Sequence, residues 1–194
     1  VLILDAQTLP LNDEWLHHFV QNLSEESDMV QAYYNYEDNG TWVARRAILD
    51  EVDHFVQKVA AWDKGVTLDC GCTNWAMRKS AFMAQHGFAD SVSLPFGEEA
   101  ILANLHVGAD RLSILCAADT RTILALPHKT AISNMRVQRN EVIHHLTNGA
   151  RKFFIQNGVS SAMLYVMVAS VACYVGLRLF GDLTANSYSL GYLY

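Results

Sequence analysis

The chain has 194 residues, 51% hydrophobic and 18% charged, a balance too apolar for a disordered polypeptide. Fourteen basic against twenty acidic side chains give a net charge of −6, and the basic residues form no run, which excludes a nucleic-acid footprint. Four cysteines are too few for a disulfide scaffold and point to a reducing compartment. The first residues show no basic-then-apolar leader, so a signal peptide is not expected there.

Residues 11–24 carry Trp15, Leu16, Phe19, Val20 and Leu23 at helical spacing, with Asn12 or Asp13 as the cap. The acidic, tyrosine-rich stretch 25–40 reads as a loop with room for a short element, its charges forming a solvated surface. Thr41 then caps a helix whose Ile48, Leu49, Val52, Phe55, Val56, Val59 and Ala60 are expected to face a core, ending near 63–65. A further helix is expected from the second cysteine of residues 69–87 to a C-cap at Gly87.

The period changes after Gly87. Four short apolar runs, at 91–95, 100–107, 111–117 and 121–127, read as strands. In the second, Ile101, Ala103, Leu105 and Val107 alternate onto one face and leave Asn104 and His106 on the other. Residues 128–149 return to helical character, with Val142, Ile143 and Leu146 spaced for burial and Asn148-Gly149 as a stop. The predicted fold class is therefore α+β, N-terminal helices packed on a small antiparallel sheet, followed by a C-terminal apolar helix.

That last helix occupies residues 157–177, which contain no charge and are bracketed by Arg151, Lys152 and Arg178. Its length suits a hydrocarbon core of about 30 Å, and Ala172 with Gly176 forms a small-xxx-small pair suited to close helix packing. Two readings stand for it: contact with a membrane, or burial in a homo-oligomeric assembly. Lys129, Arg136, Arg139, Arg151 and Lys152 precede the run and Arg178 follows it, so the positive-inside bias would leave the preceding residues in the cytosol. The expected domain division is 1–127, a helical connector 128–152, and 153–194.

Chemistry concentrates in the stretch DCGCTNWAMRKSAFMAQHG at 69–87. A C-x-C pair is tighter than zinc-ligand spacing, Cys116 and Cys173 stand alone, and a redox pair of the thioredoxin type needs C-x-x-C. A thiol in the first turn of a helix fits better. The helix dipole would stabilise its thiolate, and the free N–H groups would hold an oxyanion. Such a nucleophile needs a base and a group to orient it. His106, on a predicted strand, and Asp119, at the end of the next, supply that order.

Cys72, Trp75, Ala76, Lys79, His106 and Asp119 together resemble the bacterial transglutaminase-like cysteine peptidases, over roughly residues 45–125. The resemblance implies a papain- or transglutaminase-like core and hydrolysis of an amide bond in a protein or peptide. It makes Cys72 the nucleophile, His106 the general base and Asp119 the orienting group. No cofactor and no metal is expected, since the acidic pair that goes with calcium dependence in the family is missing here. Gly71 precedes Cys72 where the family has Gly-Asp, and Thr73 and Asn74 replace the family's acidic pair. Leu68-Asp69-Cys70 would supply the missing Asp if Cys70 were the nucleophile, but that register misplaces Trp75 and Ala76.

The alternative function is a non-catalytic structural or assembly protein, such as a phage virion or ejection component. Such a protein would keep the fold and use its C-terminal helix for oligomerisation or membrane insertion.

Overall fold

The computed structural model describes residues 1–94, 96–126 and 128–191, without the side chains of 129–131, 133, 136 and 181–191. The chain divides into two units, Val1–Arg151 and a second beginning at Lys152.

The first unit is α+β, but its strands begin at the N-terminus instead of following a block of helices. Strand β1 (Leu2–Ile3) and β2 (Thr8–Pro10) precede helix α1 (Trp15–Asn22), whose Trp15 and Phe19 are buried while Leu16 and Val20 are exposed. Next come β3 (Met29–Ala32) and β4 (Tyr34–Tyr36), formed by residues expected to be loop. The acidic residues flank this segment and do not interrupt it. MVQAYYNY is uncharged and rich in β-formers, and Met29, Val30 and Ala32 are fully buried. Burying side chains of this kind contributes roughly 1.5–3 kcal/mol for each large one.

Helix α2 (Trp42–Asp63) begins where expected, with the Thr41 Oγ1 accepting the Ala44 N–H at 3.2 Å. The cysteine segment then departs from expectation. Residues after Cys72 form strand β5 (Trp75–Met77), and the next helix, α3, is the short Lys79–Ala84. Trp75 and Met77 are fully buried in the sheet, so tertiary burial of this apolar triplet overrides its helical pattern.

Two predicted strands are absent. Residues 91–94 lie in turns, with Ala89–Ser91 as a 3-10 turn, and Pro95 lies outside the described residues. Residues 100–107 fall in helix α4 (Glu98–His106) and its C-cap. Gly97 opens that helix at φ 84°, and Glu98 and Glu99 in its first turn complement the positive end of its dipole. The alternation of Ile101, Ala103, Leu105 and Val107 is thus coincidental: Leu105 is exposed, while Leu102 and Asn104, on the other phase, are buried. The last two runs do form strands, β6 (Leu112–Leu115) and β7 (Thr122–Leu124), with Pro127 outside the described residues.

The strands make two mixed sheets, not one antiparallel one. Their orders are β1-β5-β3-β6 and β2-β7-β4. The β3–β6 and β4–β7 pairs are parallel and the remaining pairs antiparallel. One face of the first sheet packs Val30, Ala32 and Ala76 on Trp15 and Phe19 of α1. Met29, Trp75, Met77 and Leu112 pack with Cys70 and with Leu102 and Ala103 of α4. Tyr34 and Tyr36 of β4 meet Ala47 of α2 and, from helix α5 (Lys129–Val142), Ile132 and Met135.

The second unit belongs to helix α6 (Asn148–Gly191). Asn148-Gly149 was expected to stop a helix; it opens this one instead. Thr147 stands just before it, its carbonyl accepting the Arg151 N–H at 3.0 Å, and the apolar run behind propagates the helix.

Candidate functional site

The structure leaves the three expected catalytic side chains with separate partners. Cys72 is not at a helix head. It sits in the loop between α2 and β5, and its S–H donates to the Tyr34 hydroxyl at 3.6 Å. His106 is the last residue of α4, with Nε2 on Asp90 Oδ2 at 2.7 Å. Asp119 lies in a 3-10 turn after β6 and holds His18 Nε2 of α1 at 3.0 Å. Among the described residues no hydrogen bond or ion pair joins any two of Cys72, His106 and Asp119. The reason is secondary structure: ending a helix, not a strand, turns the His106 ring to the 3-10 turn that carries Asp90.

A different set of groups does converge near Cys72. Helix α2 buries Glu51, His54 and Lys58, which at i, i+3 and i+7 share one face. Asp69, at the start of the cysteine loop, receives two of them. Its Oδ2 meets His54 Nε2 at 3.0 Å and its Oδ1 meets Lys58 Nζ at 2.8 Å. Asp69 Oδ1 also accepts the Gly71 N–H at 2.9 Å, closing a tight turn. Gly71 takes φ 73°, and a Cβ there would stand 2.9 Å from the Tyr34 ring and 3.1 Å from Lys58 Nζ. Only glycine lets the backbone pass so near both groups. Glu51 is held by Arg139 of α5, with Nη2 to Oε2 at 3.1 Å.

Asn74 fixes the far end of the loop. At φ 62° and fully buried, it accepts the Trp15 indole N–H at 2.9 Å. It also donates Nδ2 to the Tyr33 carbonyl at 2.8 Å and the Thr120 carbonyl at 3.2 Å. The loop carrying Cys70 and Cys72 is thus clamped at both ends by side-chain hydrogen bonds.

Burial sets the electrostatics. It raises the Asp69 carboxyl, but the Lys58 charge and His54 outweigh that and hold it well below the ordinary carboxylate range. Burial pushes the Cys72 thiol up, only partly offset by the Tyr34 hydrogen bond, and pushes up the Tyr34 phenol as well. Cys70 is fully buried, donates to the Glu99 carbonyl at 3.1 Å and is likewise raised by burial. Burial raises the Glu99 carboxyl to about 6. At rest the site is therefore a protonated thiol on a protonated phenol, beside the salt bridge of Asp69 with Lys58.

All four cysteines are free, and no group of three or more His, Cys, Asp or Glu side chains gathers among the described residues as a metal cage. Sequence reasoning found Cys72 but missed Tyr34, Glu51, His54, Lys58, Asp69 and Arg139. One signal was present: Glu51, His54 and Lys58 lie on one helical stripe with Ala44, Ala47 and Ala61. No family model matches the chain, and neither a curated protein nor a solved structure matches it.

Proposed function

We propose that this chain is a membrane-anchored protein: the α+β unit of residues 1–151 works at a bilayer surface, and α6 crosses the bilayer. The observation that carries this reading is the segment Asn148–Phe180, a helix of 33 residues whose most apolar 18-residue window has mean hydropathy 1.8 and is not buried within the protein. Val166, Val168, Val171, Val175 and Leu177 all face outward. At 1.5 Å per residue the segment is about 50 Å long, ample for a hydrocarbon core of about 30 Å. A soluble monomer rarely exposes an apolar surface of this extent.

The test is carbonate extraction of the full chain from membranes. The native chain is expected to stay with the lipid. Val168→Arg, at mid-span, is expected to release a large share, since a central arginine costs roughly 2.5–3.5 kcal/mol of insertion. A native chain that is monomeric and soluble without detergent overturns the reading. Release into a soluble oligomer that Gly176→Leu dissociates supports the assembly protein instead, with α6 packing on copies of itself.

A second reading, a thiol-dependent amide hydrolase on a papain- or transglutaminase-like core, is favoured by one observation: Cys72 is partly accessible and its sulfur touches a hydroxyl beside the Lys58–Asp69 pair. Its sulfur would add to the amide carbon, the C–N bond would break with the amine leaving protonated, and water would then release the acid. His106 and Asp119 serve in this reading only after leaving Asp90 and His18. Alkylation by iodoacetamide at neutral pH separates the cases. The raised Cys72 thiol is expected to react more slowly than exposed Cys116. Preferential labelling of Cys72, with hydrolysis abolished in Cys72→Ser, would establish the hydrolase.

A further inference from the structure

A cavity of about 690 Å³ opens between the C-terminal turn of α1, the end of α2 and the start of β6. None of its lining residues belongs to the cluster around Cys72. Three carboxylates border it, Glu26, Asp63 and Asp110, and among the described residues none of them is held in an ion pair. No lysine, arginine or histidine lines the cavity, so its chemistry rejects an anion.

The rest of the lining is neutral and hydrogen-bonding. Asn22 gives one N–H to the His18 carbonyl at 2.8 Å, which leaves its own carbonyl oxygen and second N–H free. Gln21, one residue earlier, uses its Nε2 on His17 and keeps its carbonyl oxygen. The wall opposite is Trp62, 37% exposed. Its indole N–H is committed to the carbonyls of Ala109 at 2.8 Å and Leu112 at 2.9 Å. The ring therefore offers the cavity carbon surface and no donor, and two backbone bonds hold it in place.

We propose that this cavity binds a neutral oligosaccharide. A pyranose ring has an apolar C–H face and an equatorial belt of hydroxyls. The first rests on an aromatic ring, and the second donates to carboxylates and amide oxygens while accepting from amide N–H groups. Fixed aromatic carbon, unpaired carboxylates and free amides are the set such a ligand needs, and the volume admits about two sugar rings. An organic polycation would satisfy the carboxylates and the ring, but not the amide N–H of Asn22. The sugar uses every group present. This inference is independent of the membrane reading.

The experiment is calorimetric titration of the full chain, in detergent, with cellobiose, maltose and N,N′-diacetylchitobiose, with spermine as the cationic probe and tryptophan fluorescence as a second readout. At least one disaccharide is expected to bind at millimolar concentration or tighter. Asp63→Asn and Glu26→Gln are each expected to weaken it about tenfold, the size of a lost charge-assisted hydrogen bond. Trp62→Ala is expected to abolish it, and Trp42→Ala, at the exposed start of α2, to leave it unchanged. Should Trp62→Ala fail to fold, the two carboxylate variants decide. Absence of disaccharide binding, a response to spermine alone, or sugar binding that survives both carboxylate substitutions overturns the proposal.

Discussion

Arg78, at the start of α3, places its Nε 2.9 Å from Asp28 Oδ1, and Arg111, just before β6, grips Oδ2 of the same carboxylate. One side chain thereby ties the segment entering β3 to two others far along the chain. The hydrogen bond from Arg111, with that from Arg78 against the opposing effect of burial, lowers the Asp28 carboxyl from 3.8 to about 2. Because the folded value lies below the unfolded one, this stabilisation is full above about pH 4 and fades as pH falls toward 2. Asp28→Asn is therefore expected to cost on the order of 2 kcal/mol at neutral pH and much less near pH 2, read by denaturant unfolding at both. Lys58 presents the same physics without solvent. Lys58→Met leaves Asp69 a buried carboxylate short of its strongest counter-charge, and is expected to cost about 3–5 kcal/mol in urea unfolding. Neither pair was legible from the sequence: Asp28 and Arg111 are remote along the chain, and spacing carries no information across such separations.

Helix α2 shows where an amphipathic pattern misleads. Its existence, its Thr41 cap and its end near Asp63 follow from local rules, and all appear in the structure. Its orientation follows only in part: Ile48 and Phe55 of the expected face do pack inward, Ile48 on the Tyr34 core and Phe55 on Tyr33. Leu49, Val52 and Val56 face outward, while Ala44, Ala47, Glu51, His54, Lys58 and Ala61 face the sheets. The alanines allow β4 to approach closely, and Asp69 and Arg139 neutralise the charges that come in with them. Leu49→Ala is accordingly expected to change stability by less than about 0.5 kcal/mol. Ala47→Leu, driven against Tyr34 and Tyr36, is expected to cost about 1–3 kcal/mol, both read by urea unfolding. Helix α4 repeats the lesson at shorter length, since an apolar run of eight residues satisfies either period until its neighbours choose.

At the level of the whole chain, the two units treat their apolar side chains differently. Residues 1–151 close their own cores around Phe19, Trp75 and Tyr34. In the second unit α6 leaves its apolar side chains outside, the arrangement the proposed membrane span needs. Val168→Arg is thus expected to alter membrane partition and leave the thermal midpoint of the α+β unit within about 1 °C, since a substitution away from any core moves stability little. A matching fall in both would show that the folded unit depends on the helix.

From the sequence alone came what local chemistry controls: an α+β class, the cap at Thr41, strands within 111–117 and 121–127, and a C-terminal apolar helix. The tertiary structure alone decided which face of α2 is buried, that residues 29–36 form two strands, one inside the first sheet and one at the edge of the second, and which groups stand near Cys72. Helix caps and apolar runs act within a few residues of themselves. The pairings of Asp69, Asp28 and Asn74 reach across the chain, and their energies exist only once the backbone has brought them out of water together.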